Sequence, residues 1–583
     1  MKTVAFSSRK SQKVRGSVRR SQLITTYGVG ALIALESESY IVKGIDYWKD
    51  VELDVHEPRL ERQLKVSGFV APPADDAARG DVPIGRFPRF YYCPGCRTLD
   101  EHSNLTNSFG KTCQRCGIPL VPSRFIVACP RGHLEDFPYR RWVHRGGGGV
   151  GHDLSIRAGG ATASLDDIII RCETCGAERS MEGAFGRDAL RGIVKCGGRR
   201  PWLGPHDDED CDEMPRVLQR GASNIWFPIV ASALSIPPWS DGAFRLLDRT
   251  WTLLRNVPDD ALEQTIKNAR LAEKGPYSVE DLVAAVRLRR EGEAATEETT
   301  QEMLRFEEYE ALRRGAPEDS GQDQFVCRDV GELPRTISTW FSKVSEVRRL
   351  REVRALRAFT RVEPPDPAHP KGWARLSADP VDWLPGMEVL GEGIFMMLNE
   401  DTLTTWEQRD DVVARCSPIV ANYGSRFSTL GADPDREITP RFLLLHTLAH
   451  VLISQLSLEC GYPAASLRER IYSSGRMAGL LVYTAAADSA GSLGGLIAQA
   501  EPKRLAASVL EGLARAAWCS ADPLCAESEA SGVDSLNLAA CHACCLLPET
   551  SCEEMNTLLD RGVIVGLPGA SELGYFNRLG TDL

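Results

Sequence analysis

"CPGCRTLDEHSNLTNSFGKTCQRC", residues 93–116, holds two CxxC pairs, Cys93/Cys96 and Cys113/Cys116, separated by sixteen residues. Each CxxC closes a tight turn that directs two thiolates at one point. Two such turns complete a four-thiolate set, which favours zinc. A redox CxxC needs no second pair at this spacing. The stretch therefore predicts a zinc-ribbon-like module of short strands set into a larger domain. Its "GKT" (110–112) is not the end of a phosphate loop, because Leu105 stands where the loop's first Gly belongs. The segment also lacks the strand–loop–helix context that cradles phosphates.

Working outward, the next cysteines are Cys172 and Cys175 as a CxxC, then Cys196 and Cys211 as single residues. They read as a second four-cysteine set. "CPRGH" places Cys129 and His133 at ligand-like spacing. The sets on either side are already complete, so these two are expected to be structural. Near the C-terminus, Cys541 and Cys544 form a further CxxC, with Cys552 beyond it and Cys519 or Cys525 as the fourth member. Cys545 falls outside the spacing and reads as packing. A site closed by four protein ligands leaves no position for water, so these cysteines predict about three structural Zn2+ ions and no catalytic metal.

The 583 residues carry a net charge of −11, so no global basic field advertises nucleic acid. Residues 1–35 nevertheless hold seven cations (Lys2, Arg9, Lys10, Lys13, Arg15, Arg19 and Arg20) and no acid. A second basic stretch runs from Lys343 to Arg361. Either could meet phosphates; the alternative is a disordered tail for the first and a solvated helix face for the second. The start, "MKTVAFSSRKSQKVRGSVRRSQL", has no apolar segment of the secretory kind, so the expected location is cytoplasmic. Eighteen cysteines in a reducing compartment favour metal sites over disulfides.

"HTLAHVLISQLSLECGY" (446–462) decides whether an enzyme is to be expected. His446 and His450 share a helical face, but Thr447 holds the position that Glu occupies in a zinc-protease helix. The remaining positions are apolar nearly all round, as in a fully buried helix. Its His, Gln, Ser and Thr residues argue against a membrane span. The two imidazoles read as core, hydrogen-bonded to backbone or to polar groups from elsewhere. "DDED" (207–210) reads as an acidic loop, and "YGVG" (27–30) lacks the third Gly of a dinucleotide fold. The sequence carries no recognisable catalytic constellation.

The pattern along the chain predicts an α+β multidomain protein. Residues 1–89 form a β-rich region with a basic tail. Residues 90–222 form the zinc-binding region with two four-cysteine modules and short strands such as "RFIVAC" and "DDIIIRC". Residues 223–437 form a mainly helical middle with a Pro-rich connection at 361–373, and residues 438–583 form a C-terminal domain with the last Cys cluster.

"HTLAHVLISQLSLECGYPAASLRERIY", "DSAGSLGGL" and "CHACCLLPETSCEEMNTLLDRG" resemble the DUF1998 domain, which accompanies DNA helicases. "RRSQLITTYGVGALIAL", "CPRGHLEDFPYRRWVH" and "CGGRRPWLG" resemble the DrmB family of the DISARM anti-phage system. The resemblance implies a non-catalytic accessory subunit that pairs with a DrmA-like helicase and helps bind or clamp DNA. Candidate phosphate contacts are Arg19, Arg20, Arg140, Arg141, Arg199 and Arg200, with Trp142 and Trp202 as stacking surfaces. The alternatives are an assembly scaffold without DNA contact, or a metal-dependent hydrolase or nuclease centred on His446 and His450.

Overall fold

The computed structural model describes residues 3–8, 14–49, 51–74, 81–107, 110–158, 164–204, 207–248, 250–294, 300–318, 324–365, 372–428, 434, 436–484, 494–532 and 535–577. Lys2, Arg9, Lys10 and Lys13, most of the Gly-rich 488–496 segment and the centre of the Pro-rich connection lie outside the described residues. The chain divides into two compact units. One comprises 1–53, 69–231 and 355–387, and the other 54–68, 232–354 and 388–583.

The first unit is β-rich. A five-stranded sheet has the order Val14–Arg19, Thr3–Ser8, Val82–Arg86, Glu38–Val42, Leu32–Leu35. Its apolar face gathers Leu23, Ile33, Tyr40, Val42, Val82 and Ile84. A six-stranded sheet runs Glu178–Ser180, Ile168–Cys172, Leu154–Ala158, Thr98–Glu101, Phe90–Tyr92, Val121–Pro122. Strand alternation buries Ile168, Ile170 and Cys172 while Ile169 and Arg171 face partly outward. The sequence expectation of strands holds at "DDIIIRC", and at "RFIVAC" as Phe125–Ala128, the central strand of a separate three-stranded sheet. Phe125, Phe137, Tyr139 and Trp142 pack on these strands as one core. The buried Arg361 guanidinium donates to the carbonyls of Gly132 (2.9 Å), Ile225 (2.7 Å) and Gly30 (2.7 Å). It thereby ties three loops together with no carboxylate paired to it among the described residues, and burial pushes its pKa down to about 9.

The second unit mixes helices and a sheet. Val279–Ala294 and Gln301–Arg314 are helices, as their periodicity predicts. The middle region is helical there and again at Glu400–Glu407 and Asp410–Ser428, but departs from the mainly helical expectation at the strand Phe227–Leu234 and between residues 325 and 398. Phe341–Thr360 and Trp383–Leu398 are long strands, and their stretches within this unit, 341–354 and 388–398, belong to one sheet with Met477–Thr484 and Leu467–Ser474. The physical reason is visible in the spacing. Val344, Val347, Leu350, Val353 and Leu356 recur every three residues, which imitates a helical stripe. In a strand the same spacing sends apolar side chains to both faces, and all five residues are buried. The basic stretch is thus a strand and not a solvated helix, with Arg349 and Arg357 exposed and the arginines near its centre buried. Arg351 and Arg354 are buried in ion pairs with Glu388 (3.0 Å) and Glu352 (2.6 Å).

The helix Pro440–Cys460 is the one described helix long and apolar enough to cross a membrane, and it is mostly buried inside the unit. Thr439 caps its start by accepting from the Phe442 amide, and Gly461 ends it in a left-handed conformation. Leu443, Leu444, Leu445, Leu448, Leu452 and Ile453 have no measurable exposure.

Candidate metal centres

Among the described residues, five groups of His, Cys or Glu bring four ligand atoms each within 4.8 Å of one another. With Zn–S bonds of about 2.3 Å, a tetrahedral site has edges of roughly 3.8 Å. The sulfur separations below fall around that length.

In the first group Cys93 Sγ lies 3.2 Å from Cys116 Sγ, and Cys96 Sγ lies 3.7 Å from Cys113 Sγ. The two halves repeat one turn: the Arg97 amide donates to the Cys93 carbonyl and the Gly117 amide to the Cys113 carbonyl, both at 2.8 Å. Both following residues take positive φ, 63° at Arg97 and 72° at Gly117. Burial and then the adjoining Cys116 thiol push Cys93 up to about 12. Burial also acts to raise Cys96, but hydrogen bonds from Thr98 outweigh it and hold that thiol at about 6. Sulfurs this close cannot all be anions unless a cation sits among them.

The expected second set, Cys172, Cys175, Cys196 and Cys211, is corrected. These four do not share one point; they belong to two groups, each completed by histidine. Cys196 and Cys211 join Cys129 and His133, the pair read from sequence as merely structural. His133 Nδ1 lies 3.2 Å from Cys129 Sγ and 3.5 Å from Cys196 Sγ, and Cys129 Sγ lies 4.0 Å from Cys211 Sγ. "CPRGH" is itself a metal-type turn, closed by the Gly132 amide on the Cys129 carbonyl (2.9 Å) with Gly132 at φ 82°. His133 Nε2 meets Glu209 at 2.9 Å, the carboxylate partner that orients a ligating imidazole.

Cys172 and Cys175 instead join His144 and His152, which the sequence reading did not single out. His144 Nε2 is 3.3 Å from Cys175 Sγ and His152 Nδ1 is 3.3 Å from Cys172 Sγ. Burial raises the Cys172 thiol, yet the Cys175 backbone amide and then the neighbouring side chains draw it down to about 6. Gly149 is needed here: a Cβ at this position would lie 2.3 Å from the His144 ring. The signal that could have found these ligands is "HRGGGGVGHD", two histidines bracketing a glycine loop next to a CxxC.

The C-terminal set also differs from expectation. Both Cys519 and Cys525 join Cys541 and Cys544, with Cys519–Cys541 at 3.4 Å and Cys525–Cys544 at 3.7 Å. Cys552 belongs elsewhere, with His446, His450 and Glu469. Cys545 is buried and outside the set.

The candidate nucleic-acid residues fare unevenly. Trp142 and Trp202 are corrected as stacking surfaces, because both indoles are buried, at 1% and 0% exposure. Their ring N–H groups donate to the carbonyls of Ser180 (3.2 Å) and Arg375 (2.9 Å). Arg200 is buried and paired with Asp207 (3.1 Å) and Glu209. Arg140 pairs with Asp100 at 2.8 Å, and Arg20 donates to the Pro72 carbonyl at 2.8 Å. Arg19, Arg141 and Arg199 are exposed.

Comparison with known proteins agrees with these centres. Residues 448–545 match the MrfA Zn-binding domain, a span that contains Cys519, Cys525, Cys541 and Cys544. The donor sets and this match together identify structural zinc sites. Residues 19–227 match a family described as a domain of unknown function, DUF8724. The chain is 32% identical over 564 residues to the DISARM protein DrmB of Bacillus paralicheniformis, an alignment that covers 93% of this chain and 99% of that protein. The chain belongs to the DrmB family of DISARM proteins.

Proposed function

We propose that this DISARM defence subunit is a cytoplasmic, non-catalytic partner of a DrmA-like helicase and helps hold DNA in the assembled complex. The observation that carries this reading is the near full-length relation to DrmB. The metal centres fit it as well, since four protein ligands leave a zinc ion no position for substrate water. Their work is then to stiffen loops that would otherwise stay open to solvent.

The C-terminal four-cysteine centre has a feature suited to a partner protein. Trp518 and Leu524, 70% and 81% exposed, flank the ligands Cys519 and Cys525. A large aromatic side chain held by a rigid loop is the usual anchor of an interface. With purified helicase, the chain is expected to co-elute in gel filtration. The double variant Trp518→Ala/Leu524→Ala is expected to weaken that association at least about tenfold, with zinc content unchanged. Co-elution with wild-type affinity would remove this surface from the interface, and failure of the wild-type chain to co-elute would refute the pairing itself.

A further inference from the structure

We propose that His446, His450, Glu469 and Cys552 form a fifth, wholly buried metal site that holds a structural Zn2+ ion. The sequence reading of "HTLAH" as plain core is revised on this point. The four residues come from three places. The histidines sit one turn apart on the helix Pro440–Cys460, Glu469 lies on the strand Leu467–Ser474, and Cys552 is in the segment after the four-cysteine centre. Each is buried, and the two histidines and Glu469 have no measurable exposure.

The hydrogen bonds decide what the imidazoles can do. His446 Nδ1 faces the Leu558 carbonyl at 3.2 Å, and His450 Nδ1 faces the Cys545 carbonyl at 2.8 Å. A carbonyl only accepts, so both Nδ1 atoms carry the proton and donate it. In the neutral rings both Nε2 atoms are therefore bare lone pairs. They are turned toward the Glu469 carboxylate, at 3.0 Å from His446 and 3.5 Å from His450. His446 Nε2 also lies 3.3 Å from Cys552 Sγ. Among the described residues, His450 Nε2 and Glu469 Oε2 have no hydrogen-bond partner. Electron pairs thus converge on one buried point, an arrangement that costs several kcal/mol unless a cation occupies it.

The surroundings match a metal-bound set. Carbonyls on both Nδ1 atoms are the outer partners that fix the tautomer of a ligating histidine. Cys552 Sγ accepts from the amides of Glu554 (3.3 Å) and Asn556 (3.2 Å), which favours the thiolate. Glu469 Oε1 accepts from the Glu553 amide at 3.1 Å, so its orientation is also held. Bonds of about 2.0–2.3 Å to N, O and S imply tetrahedral edges of roughly 3.3–3.8 Å, close to the separations found. The mixed donors and count of four suit zinc, and complete burial makes the ion structural. It would pin the long helix to the strand and to the segment that carries the four-cysteine centre.

The test counts zinc in the full-length chain by native mass spectrometry, with total zinc by plasma emission. Five ions are expected, one for each group of ligands. His450→Asn keeps an amide N–H for the Cys545 carbonyl but removes the ring nitrogen, and is expected to lower the count by one. Cys552→His supplies another zinc donor and is expected to retain all five better than Cys552→Ala does. Four ions in the wild-type chain, or an unchanged count in folded His450→Asn, would overturn the proposal. If His450→Asn does not fold, the wild-type count decides alone.

Discussion

Cys172→Ser and Cys196→Ser are each expected to remove one zinc ion from the chain, and the double variant two. Were the four cysteines one set, either change would empty the same site and the double variant would lose only one. The structure separates them, with His144 and His152 completing one group and Cys129 and His133 completing the other. Each loss should also be severe. Apparent binding free energies of structural zinc run to about 10–16 kcal/mol. A domain's whole stability is about 5–15 kcal/mol. The variants should therefore aggregate or lose cooperative melting in the first unit. Cys545→Ser gives the contrast, since that cysteine lies outside every group. It should retain all the zinc and lose only packing, about 1–3 kcal/mol. Native mass spectrometry with thermal melting checks both statements.

The second large effect is expected at Arg470. Its guanidinium makes a bidentate pair with Glu308, at 2.7 and 2.8 Å, and both side chains have no measurable exposure. It also donates to Ser232 Oγ at 3.0 Å and to the Ser232 carbonyl at 3.1 Å. Glu308 in turn accepts from the Leu234 amide at 2.9 Å. Arg470→Met strips both bidentate bonds from that buried carboxylate and leaves it only the looser pairs with Arg305 (3.8 Å) and Arg59 (3.9 Å), which should cost up to about 3–5 kcal/mol. Arg191→Ala removes a pair whose side chains are 71% and 58% exposed, and should change stability by less than about 0.5 kcal/mol. The pair also sets a pH dependence. Burial alone would raise the Glu308 pKa, but Arg470, then Arg305 and Arg59, hold it below the usual carboxylate value. Its stabilisation is complete above the unfolded pKa of about 4.3 and is lost as pH falls through the lower folded value. The wild-type chain should therefore lose more stability than Arg470→Met on acidification below about pH 4. Urea melts across that range measure it.

Arg470 and Glu469 also show why part of the site was not legible. In "LRERIY" adjacent residues point to opposite faces of a strand, so Glu469 turns to the histidines and Arg470 to Glu308. A sequence gives the alternation but not what lies beyond each face. Cys93, Cys96, Cys113 and Cys116 were legible because both halves of that group are local turns of fixed spacing. The other groups combine ligands far apart in sequence, such as Cys129 with Cys211 and His446 with Cys552. Counting to four along the chain then joins the wrong partners. The same limit explains the aromatic residues. Arg–Trp neighbours such as Arg141 and Trp142 look like a nucleic-acid surface, yet helix phase puts the indole in the core and leaves the Arg outside. The long strand 341–360 imitates a solvated helix because arginines buried in ion pairs copy its composition.

The most direct test of the accessory-subunit reading is DNA affinity and ATPase activity for the chain, its helicase partner and the mixture, across a salt series. The account predicts that the chain alone turns over no ATP and cuts no DNA. The mixture should bind DNA more tightly than the helicase, with a steeper salt dependence. Arg141→Ala/Arg199→Ala should lower that slope by about 2, near one unit for each phosphate no longer neutralised. ATP turnover or DNA cleavage by this chain alone would contradict the account, as would a mixture whose DNA affinity and ATPase equal those of the helicase.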